Sequence, residues 1–212
     1  MNSGEILRYF KIVSRHFDEP SEVILTGAAC GSFYGRIRAS MDVDFAIRFK
    51  TTSAATKEKL WFEFKEATRK ATIRTGMAAQ YAEDIDRWSM ISFLDYRKKA
   101  RPFRHFGKIE IRLMDPVHWS IGKFMRYLSL DTRDLIQVLK RTKTAWEPEV
   151  RTLGRALRKS PRSTNSFLFR KHVEHFLTTY GRFVWGKKFN PGKALRQFHR
   201  AAGIPTDDIT VF

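Results

Sequence analysis

The first third of the chain alternates between helical and strand-like hydrophobic patterns. The opening stretch GEILRYFKIVSRHF has apolar residues at helical spacing and predicts an amphipathic helix. The run EVILTG predicts a short buried strand that ends at Gly27, and AACGSFYG predicts one or two helical turns that close at Gly35. A second strand is predicted from about Val43 to Phe49.

A long helix and two more strands are predicted after this point. The stretch SAATKEKLWFEFKEATRKATIRTG predicts a helix with Ser53 as its N-cap and Gly76 at its end. The runs WSMISFLDY and GKIEIRLM predict two strands, which the basic loop RKKARPFRHF connects.

From Asp115 onward the pattern is helical. DPVHWSIGKFMRYLSL predicts a helix that begins at Asp115 or Pro116, and DTRDLIQVLKRTK predicts one that begins at Asp131. This order of elements predicts an α+β fold. A small mixed β-sheet with flanking helices would occupy residues 1–115, and an all-helical C-terminal domain would occupy residues 116–212.

The composition narrows the class of protein. Of 212 residues, 42% are hydrophobic and 14% aromatic, which is typical of a folded globular protein. The single cysteine, Cys30, excludes an internal disulfide framework and a cysteine-cluster metal site. The first residues lack the apolar run of a signal peptide, and no apolar stretch reaches the length of a membrane span. We therefore expect a cytoplasmic protein without a membrane partner.

The charge balance favours a polyanionic partner. Lysine and arginine number 40 against 22 acidic residues, so the formal net charge is +18. Residues 151–212 alone hold thirteen basic and three acidic residues, with aromatic side chains among them. This pattern indicates nucleic acid first. A basic surface that serves solubility, or one that binds an acidic protein, would give the same composition.

Two acids inside an apolar run are the strongest chemical signal. Asp42 and Asp44 are two apart on a predicted strand, so both carboxylates point to one face, where oxygen ligands suit Mg²⁺. Glu110 has apolar neighbours on another predicted strand. If the strands are adjacent, three carboxylates could hold two divalent ions for phosphoryl or nucleotidyl transfer. Asp95 is the alternative third carboxylate, and a solvated strand face would also explain the pair.

The run TGAACGSFYGRIRASMDVDFAI resembles the signature of the nucleotidyltransferase superfamily, which has a polymerase-beta-like fold. That signature is a glycine-containing strand-to-helix turn followed by Asp-x-Asp on the next strand. The Arg-x-Ser-x-Asp-x-Asp motif from Arg38 to Asp44 is most similar to that of AbiE-type abortive-infection toxins and their relatives. The stretch HWSIGKFMRYLSLDTRDLIQVLKR resembles that group's lysine-bearing helix and Asp-rich turn, which correspond here to Lys123 and Asp134, with Asp131 nearby. The resemblance covers about residues 23 to 141.

The resemblance implies an enzyme that transfers a nucleoside monophosphate from a nucleoside triphosphate to an acceptor hydroxyl, with Mg²⁺ or Mn²⁺ as cofactor. It implies metal binding and catalysis by Asp42, Asp44 and Glu110, with Lys123 as a further catalytic residue. The nucleotide-binding residues would be Gly27, Ala28, Arg38, Ser40 and Asp134. Ala28 departs from the usual glycine or serine at its position and has no hydroxyl, so triphosphate binding would be either weaker or supplied by Arg38, Ser40 or Lys123.

The resemblance and the charge together predict the partners. We expect an NTP substrate, an RNA acceptor with tRNA as one candidate, and an antitoxin protein if the chain is the toxin of a toxin–antitoxin pair. Two alternatives stay open. One is a nucleic-acid-binding module of the same fold without catalysis. The other is a transferase that modifies a protein hydroxyl by AMPylation.

Overall fold

The computed structural model describes residues 2–35, 42–51 and 53–205, except for the side chain of Trp88. The chain divides into two compact units. The first unit contains Met1–Ile85 and Arg97–Asp115, and the second contains Asp86–Tyr96 and Pro116–Phe212. One of the points at which the chain passes between the units is Asp115 to Pro116, where the sequence places the domain boundary. The segment 86–96, which the sequence assigns to the first domain, belongs to the second unit.

A mixed β-sheet forms the centre of the first unit. Its strands, within the described residues, are β1 (Ser21–Leu25), β2 (Asp42–Phe49), β3 (Ala78–Ala82), β4 (Arg101–Phe106) and β5 (Ile109–Leu113). Their order across the sheet is β3-β2-β1-β5-β4. Strand β1 runs antiparallel to β2 and parallel to β5, β2 runs parallel to β3, and β4 runs antiparallel to β5. The α+β class with a mixed sheet and flanking helices is therefore confirmed.

The helices of the first unit are α1 (Ser3–Val13), α2 (Gly27–Tyr34) and α3 (Ala54–Thr75), while the short α4 (Tyr96–Lys99) begins at the edge of the second unit. The caps of α3 are as the sequence predicts. The Ser53 side chain accepts a hydrogen bond from the Thr56 N–H, and Gly76 ends the helix at φ +70°. Aromatic rings fill the core beneath the sheet, where Phe45 lies 5.3 Å from Phe10 between ring centroids.

Three predictions about strands are wrong. The stretch WSMISFLDY is not a strand, because its backbone is satisfied by nearby side chains instead of by a neighbouring strand. The Ser89 hydroxyl donates to the Ile91 carbonyl, and the Phe93 N–H donates to the Asp86 carboxylate. The predicted basic loop contains the edge strand β4, and β3 lies where no strand is predicted.

The second unit contains six helices in its described residues after Asp115. They are α5 (Pro116–Arg126), α6 (Ser129–Arg141), α7 (Trp146–Lys159), α8 (Thr164–Thr179), α9 (Gly181–Trp185) and α10 (Pro191–Ala202). Helix α6 thus begins two residues before the predicted start at Asp131. Helices α7 and α10 pack very closely, since a Cβ on Gly154 would lie 2.6 Å from the Ala201 Cβ. None of the helices in the described ranges has the length and apolar character needed to cross a bilayer.

A charged cluster joins α8 to α10. Glu174 Oε1 lies 2.7 Å from both His199 Nε2 and Arg170 Nε. Burial alone would raise the pKa of Glu174, but the hydrogen bonds to these partners, with the charges of Arg170 and Lys171, outweigh it and lower the pKa to about 2. The carboxylate therefore stabilises the fold most when it is ionised.

Candidate active site

The two acids that the sequence singles out lie at the start of β2. Asp42 and Asp44 are both partly buried, and the alternating Val43 and Phe45 are buried in the opposite face. Strand alternation therefore presents both carboxylates on one face of the sheet, as the sequence predicts.

Gly27 packs against the Asp44 carboxylate at the first residue of α2. A Cβ on Gly27 would lie 2.1 Å from Asp44 Oδ2, and the φ of Gly27 is +54°, so only glycine fits without displacement. The Thr26 N–H donates to the Asp44 carbonyl at 2.9 Å, which fixes β2 beside this turn. The Thr26 side chain makes no capping hydrogen bond. The acid pair thus lies at the positive end of a helix, where negative charge is favoured.

A third polar side chain at this place comes from β3. Gln80 is directly opposite Asp44 in the parallel ladder, and its Nε2 donates to Asp42 Oδ2 at 2.7 Å. Gln80 is not among the predicted site residues because no strand is predicted where β3 lies. The sequence feature that could have indicated β3 is the helix end at Gly76, because the exposed segment after it can pair with the sheet as an edge strand.

Glu110 does not join the acid pair. Strand β1 lies between β2 and β5, and Glu22 on β1 is opposite both Glu110 and Arg48. Arg48 is four residues beyond Asp44 on β2, or about 13 Å along the strand. The predicted convergence of three carboxylates is therefore wrong, because the two strands are not neighbours and their acids lie at different levels.

The Glu110 end of the sheet has a charge network of its own. Glu110 lies 3.8 Å from both Lys50 Nζ and Arg112 Nε. Arg112 also donates to the buried Glu22 carboxylate at 2.9 Å. Glu110 thus has cations as near neighbours, which supports a structural role for it.

Asp95, the alternative third acid, lies in the turn before α4 and not on a strand. Its Oδ1 is 3.5 Å from His118 Nε2 and 3.9 Å from Arg155 Nη2, all within the second unit. Burial would raise the pKa of Asp95, but backbone and His118 hydrogen bonds and the Arg155 charge outweigh it and lower the pKa. The acid therefore helps to hold α5 and α7 to the segment before α4.

Lys123 lies buried in the second unit, where its ammonium is paired with two carboxylates. Its Nζ is 3.1 Å from Asp131 Oδ1 and 2.6 Å from Asp134 Oδ2. Arg126 also donates to Asp131 Oδ1, at 2.8 Å, so two cations balance two acids. Burial would raise the pKa of Asp131, but Arg126 and Lys123 outweigh it and lower the pKa. The structure thus joins Lys123 and Asp134, the pair that the resemblance implies, in a buried ion cluster.

The side chains at the acid pair include oxygen atoms that could hold a divalent cation. Asp42, Asp44 and the Gln80 amide can offer oxygen atoms, the ligands that Mg²⁺ prefers. Within the described ranges, no group of three or more histidine, cysteine or acidic side chains is arranged to hold a metal ion. Ala28 is buried in the first turn of α2, while the predicted Arg38 and Ser40 lie outside the described residues.

No family model matches the chain, and no curated protein and no solved structure matches it either.

Proposed function

We propose that the chain is a metal-dependent nucleotidyltransferase that transfers a nucleoside monophosphate from an NTP to a hydroxyl group of RNA. The observation that supports this most is the Asp44 carboxylate, which packs on Gly27 at the N-terminus of α2 with Asp42 on the same face. Paired carboxylates beside a helix N-terminus combine oxygen ligands for Mg²⁺ with N–H donors for phosphate oxygens.

Each part of this arrangement has a role in the proposed reaction. Asp42 and Asp44 would hold Mg²⁺, with the Gln80 amide as a neutral neighbour. When bound, the ion would neutralise charge on the triphosphate and polarise the phosphorus–oxygen bonds. The first turn of α2 would face the phosphate oxygens. The acceptor hydroxyl would give up its proton to water as its oxygen forms a bond to the α-phosphorus, the bond from that phosphorus to the bridging oxygen would break, and pyrophosphate would leave.

Charge supports RNA as the acceptor. The formal net charge of +18 favours a polyanion over a neutral substrate. The resemblance to AbiE-type toxins extends the proposal to a toxin that modifies tRNA and is held inactive by an antitoxin protein.

A second function is favoured by specific observations. The third position beside the acid pair holds the amide of Gln80, and the Lys123 ammonium is already paired with two carboxylates. Both features suit a nucleic-acid-binding module that keeps the fold without the chemistry. The two functions share RNA binding and differ in turnover.

Incubation with each α-labelled NTP and Mg²⁺, with and without total RNA, separates these functions. A transferase acting on RNA labels a nuclease-sensitive product that requires added RNA. Label on protein would instead indicate AMPylation. RNA binding without label from any of the nucleotides would support the non-catalytic module.

A further inference from the structure

Helices α7 and α10 enclose a groove that is lined by basic side chains. The groove has a volume of about 530 Å³, and its lining is Arg151, Lys193, Arg196, Gln197, Arg200 and Ala201. The four cations are all exposed. Of the described residues that line it, none has a carboxylate side chain. We call this feature the α7–α10 groove.

Neighbouring groups restrict several of the groove's polar side chains. Arg151 Nε donates to the Glu147 carbonyl at 3.2 Å, and Gln197 Nε2 donates to the same oxygen at 3.3 Å. Lys193 Nζ lies 5.6 Å from the centre of the Trp146 ring. Cations that are already positioned lose less side-chain entropy when they bind an anion.

The spacing of the cations on α10 suits a row of phosphates. Lys193, Arg196 and Arg200 are three and then four residues apart, so they lie along one face of the helix. The row is about 10 Å long at 1.5 Å per residue. The steps between neighbouring cations are therefore about 4.5 and 6 Å along the helix axis, so each cation can contact a different phosphate of one strand. Trp146 adds a partly exposed aromatic ring next to Lys193, of the kind on which bases stack.

We propose that the α7–α10 groove is a binding site for the phosphate backbone of RNA. The four cations would contact successive phosphates, and Trp146 would stack on a base at the Lys193 end. Binding needs neither metal nor nucleotide, so it does not depend on the transferase chemistry. That the bound RNA is also the acceptor rests on the proposed function.

The first unit offers a matched control surface. Helices α1 and α3 enclose a groove of about 470 Å³ lined by Arg8, Lys11, Ile12, Arg15 and Arg74. Each of the two grooves is lined by four cations. The α1–α3 groove has the aliphatic Ile12 in its lining, whereas the α7–α10 groove has Trp146 beside it. Removing Arg8 and Arg15 therefore lowers the net charge as much as removing Arg196 and Arg200.

A salt titration of RNA binding tests the proposal. Fluorescence anisotropy with labelled single-stranded RNA, in EDTA and without NTP, would compare wild type with Arg196→Gln/Arg200→Gln and Arg8→Gln/Arg15→Gln. Each phosphate contact on a single strand contributes about 0.7 to the slope of log affinity against log salt. We expect the α10 variant to lose about 1.4 from that slope and the α1 variant to keep the wild-type slope. Four contacts correspond to an affinity loss of about 50-fold between about 50 and 200 mM salt, and two contacts to a loss of about 7-fold.

Unchanged affinity and slope in the α10 variant would overturn the proposal. An equal loss in both variants would also overturn it, because binding would then follow net charge and not this groove. Tighter binding of polyglutamate than of RNA by wild type would point to an acidic protein partner instead. Matching unfolding temperatures for the three proteins establish that the substitutions leave the fold intact. A Trp146→Leu variant should weaken RNA binding without a change in the salt slope.

Discussion

Gly27→Ala should displace the Asp44 carboxylate at the candidate site. The added Cβ would lie 2.1 Å from Asp44 Oδ2, at a backbone φ of +54°. The left-handed conformation costs a non-glycine residue about 1–2 kcal/mol. Displacement of the Asp44 side chain from its rotamer adds about 0.5–1.5 kcal/mol. We therefore expect a loss of roughly 1.5–3.5 kcal/mol in the free energy of unfolding.

The structure provides a control glycine with a similarly positive φ and no contact. Gly76 has φ +70°, and a Cβ there would meet nothing within 4 Å. Gly76→Ala should therefore cost only the conformational term of about 1–2 kcal/mol. Urea unfolding of wild type and both variants gives the two values, and their difference isolates the collision with Asp44.

The same variants test whether Asp44 binds a divalent ion. Mg²⁺ should raise the unfolding temperature of wild type and Gly76→Ala by mass action, and Gly27→Ala should lose most of that response because its Asp44 carboxylate is displaced. In an Asp44→Ala background, Gly27→Ala should cost clearly less, since the oxygen that it collides with is absent. A loss of stability in Gly27→Ala no larger than that in Gly76→Ala would refute the collision with Asp44.

Three further predictions concern the charged clusters. Lys123→Met should destabilise the fold by about 3–5 kcal/mol in urea unfolding, because it removes the buried cation that contacts both carboxylates and leaves the exposed Arg126 as their counter-charge, and adding Asp131→Asn with Asp134→Asn should recover much of the loss. Glu110→Gln should leave the Mg²⁺-induced rise in unfolding temperature unchanged, and a lost response would mean that Glu110 reaches the acid pair after all. The pKa of Glu174 lies below its ordinary value of 4.5, at about 2, so its contribution to stability is present above about pH 4.5 and is lost as the pH falls toward 2. Acid unfolding of Glu174→Gln should lack that step; an identical acid profile would contradict the assignment.

The sequence predicts the elements whose buried residues form a clear hydrophobic run or a clear alternation. The hydrophobic runs give β1, β2 and β5, and the cap residues Ser53 and Gly76 bound α3. Strand β4 has nearly every residue exposed and so shows no apolar alternation. The stretch WSMISFLDY shows the opposite case. It has the apolar pattern of a strand because Ile91 and Phe93 are buried, but it pairs with no strand.

Only part of the candidate site can be predicted from the sequence, for a related reason. Asp42 and Asp44 follow from strand alternation, and Gly27 follows from its place between a strand and a helix. The place of Glu110 depends on the order of strands across the sheet, which hydrophobic patterns do not encode. The sequence also gives no indication that β1 separates β2 from β5, or that Gln80 would be opposite Asp44. Long-range pairing, not local propensity, decides both.

The most direct test of the proposed nucleotidyl transfer compares the position of the label in the NTP. Wild type with Mg²⁺ and total RNA should label the RNA from α-³²P nucleotide but not from γ-³²P nucleotide, because the α-phosphorus is transferred and pyrophosphate leaves. Asp42→Asn/Asp44→Asn should give no labelled RNA from either. Transfer of the γ-label, or α-label on RNA from the double variant at the wild-type rate, would contradict the account.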